Sequence, residues 1–156
     1  QKDVEKSNNK NRIVKAKTTK LTKGKATDIF NDIIKAHKGK ILFVDFWATS
    51  CAPCVGSIKR MKETRATYKN NPDIDFVFIT VQNQSPERRY NSFVKEQELT
   101  NTYRIPTDDF NYLRQLFKFN GIPKYVVIAK NGQVIDDDYK MYRFNNTVDG
   151  IIKKHK

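Results

Sequence analysis

The sequence lacks the features of several protein classes, and each absence narrows the possibilities. It has only two cysteines in 156 residues, too few for a scaffold of disulfide bridges. Its longest apolar run is five residues, Tyr125 to Ala129, far short of the roughly 20 residues that span a bilayer as a helix. With 38% hydrophobic and 12% aromatic residues, the chain also differs from fibrous and disordered proteins. A single domain with a real core is expected.

Acidic residues are in the minority, because 17 Asp or Glu face 30 Lys or Arg and give a formal charge of +13. The excess is concentrated in residues 1–40, which hold 12 basic and four acidic residues. Such an arm suits nucleic acid, anionic lipid or an acidic partner, or serves as a solvated tether. We interpret it as a tether and expect no nucleic-acid partner. We divide the chain into a basic, partly mobile extension, residues 1–25, and a folded domain, residues 26–156.

Hydrophobic periodicity predicts an alternation of strands and helices. Near-continuous apolar runs predict buried strands, Asn131-Gly132 predicts a hairpin, and weak alternation predicts an N-terminal edge strand. The predicted strands cover residues 12–20, 41–47, 75–81, 124–130 and 133–138. Helices, two of them capped by Thr27 and Ser85, are predicted over residues 27–38, 52–68, 85–99, 108–117 and 146–155.

The segment VDFWATSCAPC, Val44 to Cys54, carries the most informative motif. It places Cys51 and Cys54 at the turn between a buried strand and a helix. Unpaired N–H groups and the positive end of the helix dipole favour a thiolate there, so we predict that Cys51 is the nucleophile. Cys54, three residues on, is close enough to form a disulfide but points inward, which makes it the resolving thiol.

A Cys-x-x-Cys motif is also half of many zinc sites, and zinc needs about four ligands. The other soft ligands, His37 and His155, lie on the apolar stripes of two distant predicted helices. We therefore interpret both histidines as core or rim residues, and expect neither a metal nor a cofactor.

Two segments together resemble the signature of the thioredoxin superfamily. The first is Asp45-Phe46-Trp47-Ala48 followed by Cys51-Ala52-Pro53-Cys54. The second, Gly121-Ile122-Pro123 before a predicted strand, resembles the cis-proline loop that lies against the cysteine pair in that fold. The resemblance covers residues 26–156. It implies an α/β, three-layer fold with a mixed central sheet and a cis Pro123.

The spacing of the two segments resembles one branch of that superfamily. From Cys54 to Pro123 is 69 positions, which leaves room for the inserted helix at 85–99 and a connection at 101–107. This insertion and a strand-bearing N-terminal extension resemble the TlpA/ResA-like thiol-disulfide oxidoreductases of bacteria. The branch implies a periplasmic or other extracytoplasmic location, with a membrane anchor in a segment absent from this chain.

Asp45 interrupts an otherwise apolar strand six positions before Cys51, where an unpaired carboxylate would be costly. We predict a buried acid with a raised pKa that relays a proton to or from Cys54 through water. The alternative is a satisfied structural polar group. The strand at 75–81 lacks the Lys that partners this acid in ordinary thioredoxins, so we expect proton transfer to rest on Asp45 alone.

Five residues are predicted to form the substrate-binding surface: Ile122, Pro123, Trp47, Ala52 and Pro53. The Ile122 backbone offers strand-like hydrogen bonds to a substrate segment, while Pro123 keeps metals from the sulfurs. The alternatives are a tight turn without contacts for Pro123 and a core position for Trp47. Two departures from the family pattern accompany this surface. Ser50 replaces a Trp common in relatives, and Ser57 replaces a Glu of ResA-like proteins.

These features lead to the hypothesis of a monomeric thiol-disulfide oxidoreductase that reduces disulfide-bonded protein substrates. An upstream thiol reductant, membrane-bound or not, would supply the electrons. An oxidase or isomerase is the alternative within the class, since Ala52-Pro53 does not fix the redox direction. A peroxide-reducing enzyme is disfavoured, because residues 45–50 lack the Pro of such sites. A basic binding module is the alternative outside enzymes.

Overall fold

The computed structural model describes residues 17–156, which form a five-stranded sheet flanked by six α-helices. The strands are β1 Ile41–Trp47, β2 Ile74–Val81, β3 Thr102–Ile105, β4 Lys124–Ile128 and β5 Val134–Asp136. The helices are α1 Lys25–Ile34, α2 Ala52–Arg60, α3 Lys62–Thr67, α4 Glu87–Glu96, α5 Thr107–Leu116 and α6 Phe144–Lys154. Three short 3-10 helices lie between these elements, at Lys35–His37, Gln82–Gln84 and Met141–Arg143.

Strand β1 lies at the centre of the sheet, whose order is β3-β2-β1-β4-β5. It pairs in parallel with β2 and antiparallel with β4, while β2 pairs in parallel with β3 and β4 antiparallel with β5. The parallel neighbours are reached through helices, whereas the Asn131-Gly132 turn joins β4 to β5 directly. Gly132 has a φ of +85°, which that tight turn needs. The predicted mixed sheet and hairpin are confirmed.

All seven residues of β1 are buried, because helices cover both faces of the sheet. Successive side chains of a strand point to opposite faces. One face, which we call the scaffold face, packs Leu42, Val44 and Phe46 against α1 and α5. The other, the active face, packs Ile41, Phe43 and Trp47 against α2, α4 and α6. Asp45 belongs to the active face, and the predicted three-layer architecture is confirmed.

The helix predicted over residues 52–68 is broken into α2 and α3 at Met61, which has φ −92° and ψ 5°. The Met61 N–H is shared between the carbonyls of Ser57 and Ile58, both at 3.2 Å. The apolar face continues across the break, because Ile58, Met61 and Tyr68 all pack on the same core. Hydrophobic periodicity alone therefore did not reveal the break at Met61.

Residues 101–107, predicted to be a connection, contain strand β3. Its four residues pair in parallel with the second half of β2, from Phe78 to Val81. All four residues are half-buried. The segment therefore lacks the alternation of apolar and polar residues from which a longer strand can be predicted. Pro106, directly after it, ends the strand and precedes α5.

Two predicted helix caps have other roles. Thr27 lies inside α1, whose cap residue is Gly24, and its hydroxyl donates to the Thr22 carbonyl. The cap residue of α4 is Pro86 rather than Ser85. The Ser85 side chain is fully buried and bonds toward the cysteine loop instead.

The N-terminal extension is described only from residue 17. The first 16 residues of the extension predicted to be partly mobile, and with them most of the edge strand predicted at 12–20, lie outside the described residues. Thr19 makes an isolated antiparallel bridge with Val134, with both N–H···O distances 2.8 Å, so the chain does meet the outer edge of β5. The domain boundary after residue 25 stays a prediction. Between residues 17 and 156, no helix has the length and apolar character of a bilayer crossing.

Candidate active site

The cysteine pair lies where β1 turns into α2. Cys51 is the cap residue of the helix: its carbonyl accepts from the Val55 N–H at 3.0 Å, and its Sγ lies 3.3 Å from the Cys54 nitrogen. Pro53 occupies the first turn, where a helix has no intrahelical use for an N–H. An anionic sulfur at this point receives the Cys54 N–H and faces the positive end of the helix dipole. The predicted placement of Cys51 is confirmed.

Cys51 and Cys54 are joined as a disulfide, with their Cα atoms 5.2 Å apart. Cys51 is half-buried and Ala52 and Pro53 are exposed, whereas only 1% of Cys54 is accessible. An incoming thiol or disulfide therefore reaches the Cys51 sulfur first. The inward direction predicted for Cys54 is confirmed.

The loop before β4 lies against this pair. The Ile122–Pro123 peptide bond is cis, as predicted, and the Ile122 carbonyl oxygen is 3.7 Å from Cys51 Sγ. Within residues 17–156, neither the N–H nor the C=O of Ile122 forms a backbone hydrogen bond. The Ile122 carbonyl thus lies beside the accessible sulfur.

Polar side chains beneath the cysteine loop hold its backbone in place. Thr80 Oγ1 donates to the Trp47 carbonyl at 2.6 Å and lies 2.6 Å from Ser85 Oγ. Ser85 Oγ in turn accepts from the Thr49 N–H at 3.0 Å, and the Ser85 carbonyl accepts from Arg104 Nε at 2.7 Å. The end of β1 is thus tied to the segment between β2 and α4.

Asp45 is 5% exposed on the active face of β1, and its Oδ1 has no hydrogen-bond partner within the described residues. Burial removes the carboxylate from water, which raises its pKa from 3.8 to about 8, although the nearby Arg65 cation lowers it in part. The predicted buried acid with a raised pKa is confirmed.

A small cavity of about 10 Å³ adjoins Asp45. Ser57 and Arg65 supply its polar lining, and Ile58, Met61, Phe76, Phe78 and Met141 supply its apolar lining. A buried water needs about this much space and at least two polar partners. The cavity therefore has the size and polar groups for a single water beside Asp45.

Two residues near Asp45 were missed in the sequence. Tyr125 pairs with Asp45 across β1 and β4, and its hydroxyl donates to Ser57 Oγ at 3.0 Å. Burial raises the pKa of Tyr125 to about 12, and the Asp45 charge adds to the rise. Arg65 is the second: it lines the same cavity as Asp45, and its charge partly lowers the pKa of that carboxyl.

Sequence signals for both residues existed. Arg65 lies four positions after Met61 and three before Tyr68, which places it on the apolar stripe of the predicted helix. A cation on such a stripe indicates a buried partner. Tyr125 is the second residue of the strand predicted directly after Pro123. Its side chain points to the same side of the sheet as that of the β1 residue paired with it, which is Asp45.

Trp47 is fully buried, and its ring packs on Tyr90 and Phe93 of α4, with centroid distances of 6.1 and 5.3 Å. A side chain with no accessible surface cannot contact a docked substrate. The structure therefore corrects the prediction that Trp47 forms part of the substrate-binding surface and shows the core position instead.

The two histidines lie away from the cysteine pair along the chain and in different elements. His37 Nε2 is 2.6 Å from the Tyr103 hydroxyl, and both side chains are half-buried. Across residues 17–156, no group of three or more His, Cys, Asp or Glu side chains is placed to hold a metal ion.

Comparisons with known proteins agree with this geometry. The thioredoxin-like family model matches residues 39–134, which include the cysteine pair and the cis-proline loop. "Thiol-disulfide oxidoreductase ResA" of Oceanobacillus iheyensis is 28% identical over 97 residues, which are 62% of this chain and 48% of that protein. The ResA of Bacillus cereus is 26% identical over 103 residues, 66% of this chain and 57% of that protein. The chain spans about half the length of the curated relatives it matches.

Solved structures share the fold. A thioredoxin domain of a thiol-disulfide oxidoreductase from Bacteroides vulgatus superposes with a TM-score of 0.65 at 18% identity, over 76% of this chain and 84% of that one. A thiol:disulfide interchange protein from Bacteroides sp. gives 0.63 at 18% identity, over 87% and 85%. The predicted superfamily resemblance is confirmed, and the ResA relatives support the TlpA/ResA-like branch. The family model matches more than half of this chain, which therefore belongs to the thioredoxin-like family.

Proposed function

We propose that this protein is a thiol-disulfide oxidoreductase that reduces disulfide bonds of protein substrates. The observation that carries the proposal is the asymmetry of the cysteine pair. The half-buried Cys51 caps a helix N-terminus beside Ile122, which forms no backbone hydrogen bond within residues 17–156, whereas Cys54 is 1% exposed. One sulfur is placed to react with a partner and the other to react only with its neighbour.

The reaction proceeds in two exchanges. In the first, the Cys51 thiolate attacks one sulfur of the substrate disulfide, forms a mixed disulfide and releases the other substrate sulfur as a thiolate. In the second, the Cys54 thiolate attacks the Cys51 sulfur and releases the remaining substrate thiolate. The substrate gains two electrons and the protein becomes the Cys51–Cys54 disulfide. An upstream thiol reductant returns the pair to its dithiol form.

Asp45 acts as the proton relay in the second exchange. Its carboxylate takes the Cys54 proton through water, and the proton passes on to the leaving substrate thiolate. Because the pKa of Asp45 is raised to about 8, the protonated acid is the main form at neutral pH. The rate of the second exchange should therefore rise with pH up to about 8 and then level off.

The substrate lies across Ile122, Pro123, Ala52 and Pro53. The Ile122 N–H and C=O pair with an extended substrate segment in the manner of an added strand. The exposed Ala52 and Pro53 form the opposite side of the contact. Backbone pairing recognises any extended segment, which suits a protein that acts on several disulfide-bonded partners.

The cellular setting is inferred from the TlpA/ResA-like branch. We place the protein outside the cytoplasm, in the periplasm where there is one, held at the membrane by a segment outside this chain. Its upstream reductant is a thiol protein of that compartment. It works as a monomer, and its basic extension serves as a tether rather than a nucleic-acid site.

Insulin reduction tests the activity. With dithiothreitol as electron source, the protein should accelerate precipitation of the insulin B chain, and Cys51→Ser should remove the acceleration. A wild-type rate equal to that of dithiothreitol alone would overturn the proposal. A glutathione equilibrium then tests the direction, since a potential near the oxidising end, about −120 mV, would indicate an oxidase or isomerase instead.

A further inference from the structure

The Arg65 guanidinium lies between the ends of two helices. Its Nη1 donates to the Ile58 carbonyl at 2.7 Å and its Nη2 to the Gln97 carbonyl at 3.1 Å. Ile58 belongs to the last turn of α2, and Gln97 directly follows α4. The carbonyl ends of both helices carry partial negative charge, so one cation neutralises two helix termini.

The break at Met61 allows this arrangement. In a continuous helix the Ile58 carbonyl would accept from the N–H of Lys62, but here it accepts from Met61 and from Arg65. The C-terminal end of α2 is therefore capped by the Arg65 side chain of α3. The same side chain joins that end to α4, whose Phe93 packs on Trp47 beside the cysteine loop.

The Arg65 charge has no carboxylate within 4.0 Å among residues 17–156, although the residue is half-buried. The guanidinium instead lies over the Phe78 ring, 5.7 Å from its centroid. The two carbonyls and the aromatic face hold the charge in a fixed place, which the planar fork of an arginine permits and a lysine does not.

Arg65 and Asp45 line the same small cavity. From the elements around it, the groups facing Asp45 are Ser57 on α2, Arg65 on α3 and Tyr125 on β4. Strand β2 and the 3-10 helix at Met141–Arg143 add only apolar side chains to the cavity. Of these groups, only Arg65 is positively charged, and it occupies the electrostatic role that a β2 lysine would otherwise fill.

We propose that Arg65 is a positioning residue for thiol-disulfide exchange: its fixed guanidinium stabilises the ionised form of Asp45 while it ties α2 to α4. This proposal rests on the proposed function, because it concerns the proton that leaves Cys54. Removing the cation leaves the Asp45 carboxylate buried without compensation, so Asp45 should hold its proton to a higher pH.

The test is an NMR titration of the Asp45 carboxyl carbon in the oxidised protein, where neither cysteine titrates. In Arg65→Met the midpoint should rise by about one pH unit relative to wild type. Arg65→Lys, which keeps the charge but not the fork, should give a smaller rise. If Arg65→Met does not fold, Arg65→Gln gives the neutral comparison. The matched control is Arg89→Met, which removes an exposed cation of α4 and should leave the midpoint unchanged.

The second readout is the pH profile of the second exchange, followed as release of the substrate thiol. Below the midpoint, Arg65→Met should slow this step about tenfold for each unit by which the midpoint rises. An Asp45 midpoint and a pH profile equal to those of Arg89→Met would overturn the role of Arg65. Failure of the proposed function is distinguishable from this result, because wild type itself would then show no exchange while the titration would still report on Arg65.

Discussion

The two faces of strand β1 differ in composition and in packing. On the scaffold face, Phe46 packs against Phe110, Phe117 and Phe119, with ring centroids 5.0–6.1 Å apart. On the active face, one position earlier, Asp45 is buried with an unpartnered oxygen beside a cavity. Adjacent residues of one strand thus serve stability and chemistry separately, because a strand sends them to opposite sides of the sheet.

The scaffold face should account for the largest loss of stability. Phe46→Ala removes a fully buried ring from a cluster of four aromatic side chains, so the free energy of unfolding should fall by about 3–5 kcal/mol. Urea denaturation would measure this. The pH profile of the remaining folded protein should match wild type, and a shifted profile would show that the two faces are coupled.

Asp45→Asn should have the opposite effect on stability. The folded protein holds the Asp45 proton up to a pH of about 8, whereas the unfolded chain releases it near 3.8. Between these values the folded state binds the extra proton, so the free energy of unfolding of wild type falls as the pH rises, and is level above about 8. The asparagine variant lacks this slope.

Denaturation of wild type and Asp45→Asn at pH 5 and pH 8 measures the difference. From pH 5 to pH 8 wild type should lose on the order of 4 kcal/mol of stability relative to the variant, because each pH unit in which only the folded state holds the proton corresponds to about 1.4 kcal/mol. Its second exchange should be slower by on the order of tenfold to a hundredfold. Equal pH slopes in the two proteins, or full activity with an unchanged pH profile, would contradict the role given to Asp45.

The smallest effect is expected at the rim of the active face. Tyr125→Phe removes the hydroxyl that donates to Ser57 at 3.0 Å, which should cost about 1 kcal/mol of stability. Ser57→Ala removes the other partner and should cost about the same. In a double-mutant cycle the two losses should not add. Additive losses would mean that the pair contributes nothing as a pair.

The two faces also differ in how well the sequence predicts them. The scaffold face follows from apolar runs and periodicity alone, and the strand predicted at 41–47 has the bounds observed for β1. On the active face, Cys51, Cys54 and Asp45 were predicted because their residue types are chemically unusual at those positions, whereas the cis-proline loop was predicted from the resemblance of Gly121-Ile122-Pro123 to the thioredoxin superfamily. A carboxylate in an apolar strand is such a position.

What the sequence did not predict depends on contacts between distant elements. Arg65 reaches the Gln97 carbonyl across 32 positions, and Tyr125 reaches Ser57 across 68. Neither contact has a local signature, although the position of Arg65 on an apolar stripe is a hint. Strand β3 was missed because four half-buried residues at a sheet edge carry too short a pattern. The prediction that Trp47 contacts substrate was wrong, because the end of β1 borders both the active site and the core and the Trp47 ring lies in the core.

Trapping of the mixed disulfide tests the assignment of the two cysteines most directly. Cys54→Ser and Cys51→Ser would each be reduced, mixed with a disulfide-bonded protein and analysed by mass spectrometry. The structure predicts a stable covalent adduct on Cys51 in Cys54→Ser, because the resolving thiol is missing, and little or no adduct in Cys51→Ser, because Cys54 is buried. Equal adduct in both variants, or adduct only through Cys54, would contradict the division of roles between an accessible nucleophile and a buried resolving thiol.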